Sequence, residues 1–170
     1  METIQAIKTL LAVKSYKPDP VSRKEVKTIL EAGRLTGSAH NNQPWRFVVV
    51  RDQEMRSKLA EQISTSPYIA DAPVAIGVFV EDNGGWERMD GARAIQSMLL
   101  AAWDVGLGST WTSGPRFGDL VKDYLKVPDK YEFIGFITLG IPDQLVGKGI
   151  KRRKRLREIA FTDRFGEEYK

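Results

Sequence analysis

The sequence has 170 residues, 42% apolar and 28% charged, with 26 Lys and Arg against 22 Asp and Glu, which predicts one soluble globular domain with room for a sizeable core. It contains no cysteine, so disulfides, thiolate catalysis and cysteine-ligated metals are excluded, and its one histidine, His40, excludes a histidine-rich metal site within one chain. The net charge of +4 is local: Lys151 to Arg157 carries six basic residues and no acid, and without them the body is mildly acidic. Such a run is a solvated tail or an anion site for phosphate or nucleic acid.

In chain order, residues 2–13 place Ile4, Ile7, Leu10, Leu11 and Val13 at helical spacing, which predicts an amphipathic helix. The first six residues lack the basic region and apolar run of a signal peptide, so none is expected. Lys17-Pro18-Asp19-Pro20 breaks the helix, because proline disfavours helical geometry in itself and in the residue before it. Ser22-x-x-Glu25 is a capping box opening a second helix to about Leu35. Ser38 to Gln43 forms a polar loop, and Pro44-Trp45-Arg46 leads into a strand over 47–50. Asp52 caps a short helix to about Gln62, and Ser66-Pro67 interrupts the chain. Pro73 to Val80 is apolar on both faces, as a central strand requires.

The longest helix is expected over 88–105, where Ala92, Ile95, Met98, Leu99, Ala102 and Trp103 recur with its period until Gly106. A strand over 107–112, a turn at Ser113-Gly114-Pro115, a helix over 117–125 and a last central strand over 133–139 follow. Residues 142–170 read as an extended basic arm, with a short helix over 158–165. No apolar stretch approaches the ~20 residues of a membrane helix, so the protein is expected to be cytoplasmic. Helices mixed with four strands, without strict βαβ alternation, predict an α+β fold.

Asn41-x-Gln43-Pro44-Trp45-Arg46-Phe47 resembles the signature of the nitroreductase family of FMN-dependent flavoproteins. Lys17-Pro18-Asp19-Pro20-Val21, Gly106-Leu107-Gly108-Ser109 and Leu139-Gly140-Ile141-Pro142 resemble further family blocks, in the family's order, and the resemblance covers nearly the whole chain. It implies one nitroreductase-like domain over 1–170, with a four- or five-stranded, mostly antiparallel sheet packed between helices and a long central helix. It also implies a homodimer with two flavins at the interface and swapped terminal arms.

FMN needs cations or backbone N–H groups for its phosphate, donors and acceptors for its ring edge, and flat apolar cover on one ring face. In the family an Arg-Ser-x-Arg pattern at the end of the first helix holds the phosphate. An ungapped alignment puts Leu10, Leu11, Ala12 and Lys14 there, so an arginine and a serine have become leucine and alanine and only Lys14 keeps the chemistry. The family's basic residue near the C-terminus is matched best by Arg153, with Lys151 and Arg155 as neighbours. Ser38, Ala39, Asn41 and Gln43 match the loop that contacts the flavin from across the dimer, and His40 beside them could lean over the ring. Ser97 stands where an asparagine is common, and Trp111, Thr112 and Ser113 match contacts to the ring. Otherwise Trp111 is a core-packing residue, the usual place of a large aromatic.

The implied activity is an FMN-dependent oxidoreductase passing electrons from NAD(P)H to a nitroaromatic, quinone or similar acceptor. The flavin carries the hydride, so no catalytic side chain and no metal is called for, and neither a membrane nor nucleic acid is expected as a partner. Two other readings stay open: a flavin-binding protein without turnover, and a flavin-free anion- or nucleic-acid-binding protein using the 151–157 run.

Overall fold

The computed structural model describes residues 1–81, 85–112, 114–144 and 151–169. Six helices and four strands alternate along it: α1 (Thr3–Thr9), α2 (Arg23–Arg34), β1 (Trp45–Val50), α3 (Gln53–Gln62), α4 (Tyr68–Asp71), β2 (Val74–Glu81), α5 (Glu87–Asp104), β3 (Gly108–Thr112), α6 (Gly118–Leu125) and β4 (Tyr131–Gly140). The sheet order is β1-β2-β4-β3, and all three pairings are antiparallel.

The helix starts follow from local chemistry. Ser22 Oγ accepts from the Glu25 N–H at 3.1 Å, and Glu25 Oε2 accepts from the Ser22 N–H at 2.7 Å, the reciprocal pairing of a capping box. Asp52 accepts from the Met55 N–H at 2.8 Å and opens α3. At its other end α5 stops before Gly106, which takes a φ of 85°.

β2 and β4 are the inner strands, and their alternation divides the core in two. Val74, Ile76, Val78 and Val80 of β2, with Ile137 and Leu139 of β4, pack on Ile29 of α2 and on Ile95, Met98 and Ala102 of α5. Ala75 and Phe79, with Phe133 and Phe136, face Leu59 and Ile63 beside α3 and Val121 of α6. A strand apolar on both faces is therefore covered by helices on both faces.

Three expectations are corrected. The first helix ends at Thr9, not near residue 13. Beyond Leu10 the chain is extended against the free edge of β3: Ala12 pairs with Ser109 in a parallel bridge, and the Val13 N–H donates to the Ser109 carbonyl at 2.9 Å. That pairing buries Val13 and ties up backbone groups that a longer helix would use internally. The short helix expected over 158–165 is instead a 3-10 turn at Leu156–Glu158. Glu158 closes it by accepting from the Arg155 N–H at 2.8 Å, and Phe161 then bridges to Glu168. A helical turn, α4, was not anticipated after Pro67. Among the described residues no helix is long and apolar enough to cross a membrane.

Candidate functional site

A cavity of about 700 Å³ opens between the end of α1, the outer surface of α5, β3 and the C-terminal arm. Ile7 and Lys8 come from the last turn of α1, Leu10, Leu11 and Ala12 from the extended segment, and Gln96 and Leu99 from α5. Ser109, Thr110 and Trp111 form the β3 wall, and Lys151 and Arg153 close the cavity from the arm. The arm is anchored by the Lys151 ammonium, which donates to the Ile7 carbonyl at 2.5 Å. A cation is favoured at that helix end, where carbonyls lack intrahelical partners.

The cavity lining is both charged and apolar. Lys8, Lys151 and Arg153 put three cations in its lining, and none has an ion-pair partner among the described residues. Ile7, Leu10, Leu11 and Leu99 make its walls apolar. Ser109 Oγ, in the same lining, is buried with no hydrogen-bond partner among the described residues, and a buried hydroxyl in that state calls for one. The arrangement suits an anion attached to an apolar, planar body.

Trp111 is shared with a second cavity of about 380 Å³, lined also by Thr65, Ser66, Thr112, Gly114, Arg116 and Phe117. The indole is 44% exposed, so it is not core, and its Nε1 lies over Gly135 of β4. At the wall of this cavity three hydroxyls meet. Thr112 Oγ1 lies 2.6 Å from the Tyr68 hydroxyl and is also hydrogen-bonded to Ser66 Oγ. The Lys14 ammonium sits 5.3 Å from the centre of the Tyr68 ring.

The structure thus brings Trp111 and Arg153 into one cavity and sets Lys14 and Thr112 around Tyr68. Ser97 faces the end of α2, where its Oγ accepts from the Thr36 hydroxyl at 2.8 Å, and Gln96 lines the cavity in its stead. The loop of Ser38, Ala39, Asn41 and Gln43 lines neither cavity within one chain. It folds on itself: Ser38 Oγ accepts from the Gln43 N–H at 2.9 Å, and the Gln43 amide donates to the Asn41 carbonyl at 3.2 Å. Ser113 lies outside the described residues. Lys8 and Ser109 also line the cavity and were not among the expected site residues, although Lys8 in a helix's last turn and a serine beside Gly108 were visible signals.

The nitroreductase family model matches residues 11–92 and 62–141 of this chain. The chain belongs to the nitroreductase family. A "Putative NADH dehydrogenase/NAD(P)H nitroreductase" of Methanothermobacter thermautotrophicus is 33% identical over 155 residues, covering 86% of this chain and 81% of that relative. An "FMN reductase [NAD(P)H]" of Bacillus subtilis is 26% identical over 115 residues, 62% of this chain and 46% of that protein. An "FMN-dependent Nitroreductase" from Clostridium difficile R20291 shares the nitroreductase fold at a TM-score of 0.85 and 24% identity, over 96% of this chain and 100% of that one.

Proposed function

We propose that this nitroreductase-family chain is an FMN-dependent oxidoreductase that takes reducing equivalents from NAD(P)H and delivers them to a nitroaromatic, quinone or similar acceptor. The observation that carries the reading is the convergence of Lys8, Lys151, Arg153 and Trp111 on one cavity. Its volume of about 700 Å³ falls within the range of cofactor clefts. The three cations fit a phosphate dianion, Arg153 best of all, since its planar fork can meet two phosphate oxygens. The orphaned Ser109 hydroxyl fits a polar group of the ligand. Relatives named for NAD(P)H and for FMN support the same reading.

FMN, when bound, supplies the hydride and electron chemistry. The chain's residues supply the rest. Lys151 and Arg153 hold the charged end, taking over from the residues now occupied by Leu10 and Ala12. Ile7, Leu10, Leu11 and Leu99 exclude water, and Trp111 offers a flat wall. The Thr112, Tyr68 and Ser66 hydroxyls would offer donors and acceptors to the ring, and Lys14, which stands beside Tyr68 and does not line the cationic cavity, would add its charge there rather than at the phosphate. The loop of Ser38, Ala39, Asn41 and Gln43 completes the site from a second subunit, so the working form is a homodimer.

Colour tests this directly. The purified protein should be yellow, and NAD(P)H should bleach it under anaerobic conditions. A colourless protein that takes up no added FMN would refute the reading. A yellow protein that NAD(P)H does not bleach would leave flavin binding without turnover.

A further inference from the structure

The 38–43 loop is held in an unfavourable backbone conformation. His40, Asn41 and Gln43 have φ values of 50°, 56° and 49°, in the left-handed region that non-glycine residues avoid. Such residues persist only where the surroundings over-determine them. The loop's own hydrogen bonds, from the Gln43 N–H to Ser38 Oγ, from the Gln43 amide to the Asn41 carbonyl, and from the Asn41 and Asn42 N–H groups to the Ser38 and Ala39 carbonyls, tie the loop to itself and not to the rest of the fold.

α5 supplies that hold. Asp90, Arg93 and Ser97 stand three and then four residues apart, on one stripe of the helix. They meet the incoming chain in order. Ser97 Oγ bonds the Thr36 hydroxyl at 2.8 Å. The Arg93 guanidinium lies over Gly37, where a Cβ would sit 3.2 Å from Nη2. Asp90 Oδ2 accepts from the Ala39 N–H at 2.9 Å.

Asp90 is only 4% exposed, and its other oxygen meets Arg93 at 3.4 Å. A buried carboxylate is costly unless it is paired and hydrogen-bonded, but its place in the first turn of α5 offsets part of that cost. We infer that Asp90 is a positioning residue: it leads a three-rung clamp on α5 that fixes the backbone of the 38–43 loop before any ligand arrives. The inference rests on the reading of that loop as a cofactor-contacting element. Asp90 is not among the residues lining either cavity and acts through Ala39.

The experiment compares parent, Asp90→Ala, Asp90→Asn and Ser97→Ala. Amide hydrogen exchange at Ala39 is followed in flavin-free protein, FMN affinity by fluorescence quenching, and thermal midpoint alongside. Asp90→Ala should speed Ala39 exchange and weaken FMN roughly tenfold or more, the ordinary scale for a lost charged hydrogen bond. Asp90→Asn keeps an oxygen in place and should recover most of both losses. Should Asp90→Ala fail to fold, Ser97→Ala cuts the Thr36 rung without removing a charge and should speed exchange over residues 36–39. Unchanged exchange in the folded variants overturns the clamp. Faster exchange with parental FMN affinity overturns its positioning role. A parent that takes up no FMN refutes the proposed function instead, and exchange in the flavin-free protein then decides on the clamp alone.

Discussion

Val13 leaves no room for a side chain at Gly108: a Cβ there would lie 2.7 Å from Val13 Cγ1 and 2.8 Å from Val13 Cβ. The contact sets how closely the 10–13 segment lies on β3, and so sets one wall of the larger cavity. Valine is stiff at χ1 and cannot swing its branch point away. Gly108→Ala should therefore push the segment off the strand edge and cost about 1–3 kcal/mol, the usual penalty for overpacking. Adding Val13→Ala should return part of it. Urea denaturation of the single and double variants checks this, and a Gly108→Ala protein as stable as the parent would show that the segment has slack.

The arm's grip on phosphate is tested by comparing FMN with riboflavin, which lacks the phosphate. Lys151→Ala with Arg153→Ala should weaken FMN roughly tenfold or more, since hydrogen bonds to charged groups are worth about 1.5–3 kcal/mol, and should leave riboflavin almost unaffected. FMN binding to the parent should weaken with rising salt, as exposed charges are screened. Equal losses for both flavins would mean that the arm contacts the ring or merely closes the cavity.

Leu10 and Ala12 can now be judged as sites for restoration. Leu10 is half-buried, Ala12 is exposed, and both line the cavity, so an arginine at residue 10 need not be buried unpaired. Leu10→Arg with Ala12→Ser should tighten FMN while leaving the thermal midpoint within a few degrees. A large loss of stability would show Leu10 to be core after all.

Tyr16 gives a pH signature. Its hydroxyl donates to the Val13 carbonyl at 2.5 Å and pairs with Thr138 Oγ1 at 2.7 Å. Burial pushes its ionisation well above the ordinary tyrosine range, with the Thr138 hydrogen bond pulling weakly the other way. The unfolded chain releases this proton from about pH 10 while the folded chain keeps it, so the unfolded state binds fewer protons there. Stability from this group is complete below pH 10 and falls as pH rises above it. Tyr16→Phe should lower stability at neutral pH by about 1–3 kcal/mol and flatten the alkaline decline. Denaturation midpoints between neutral pH and pH 11 provide the measurement.

Association should be tight. Ile4 is 62% exposed and Phe165 93%, and Leu35, Trp86 and Met89 also expose large apolar surface. These are side chains that the proposed homodimer would be expected to cover. Light scattering at micromolar concentration should report a homodimer. A monomer would also leave the 38–43 loop without a cavity to complete.

Much of the architecture was legible because its causes are local. The Ser22 and Asp52 caps, the double-sided apolarity of β2 and the stop at Gly106 are short-range signals, and each stands where the sequence places it. The end of α1 was not legible. Leu10, Leu11 and Val13 satisfy a helical spacing, and only a strand edge about a hundred residues downstream decides that they are extended. The same non-local cause governs the site. Arg153 could be matched to a role, but only the fold shows that it shares a cavity with Leu10 and Ala12. Ser97 looks like a cavity residue in sequence, yet helix phase turns it toward Thr36 and gives the cavity to Gln96.

The larger cavity takes its walls from residues 7–12 and from residues 151–153, stretches made at nearly opposite times during synthesis. A nascent chain can complete its sheet with β4 and still present only an open apolar trough beside α1. The trough gains the arm as a wall, with two further cations, when Lys151 reaches the Ile7 carbonyl. A chain stopped before that point would keep the four strands and the helices packed on them but would lack two of the three cations in the cavity lining. Premature termination in the arm should therefore show first as lost FMN binding rather than as lost folding.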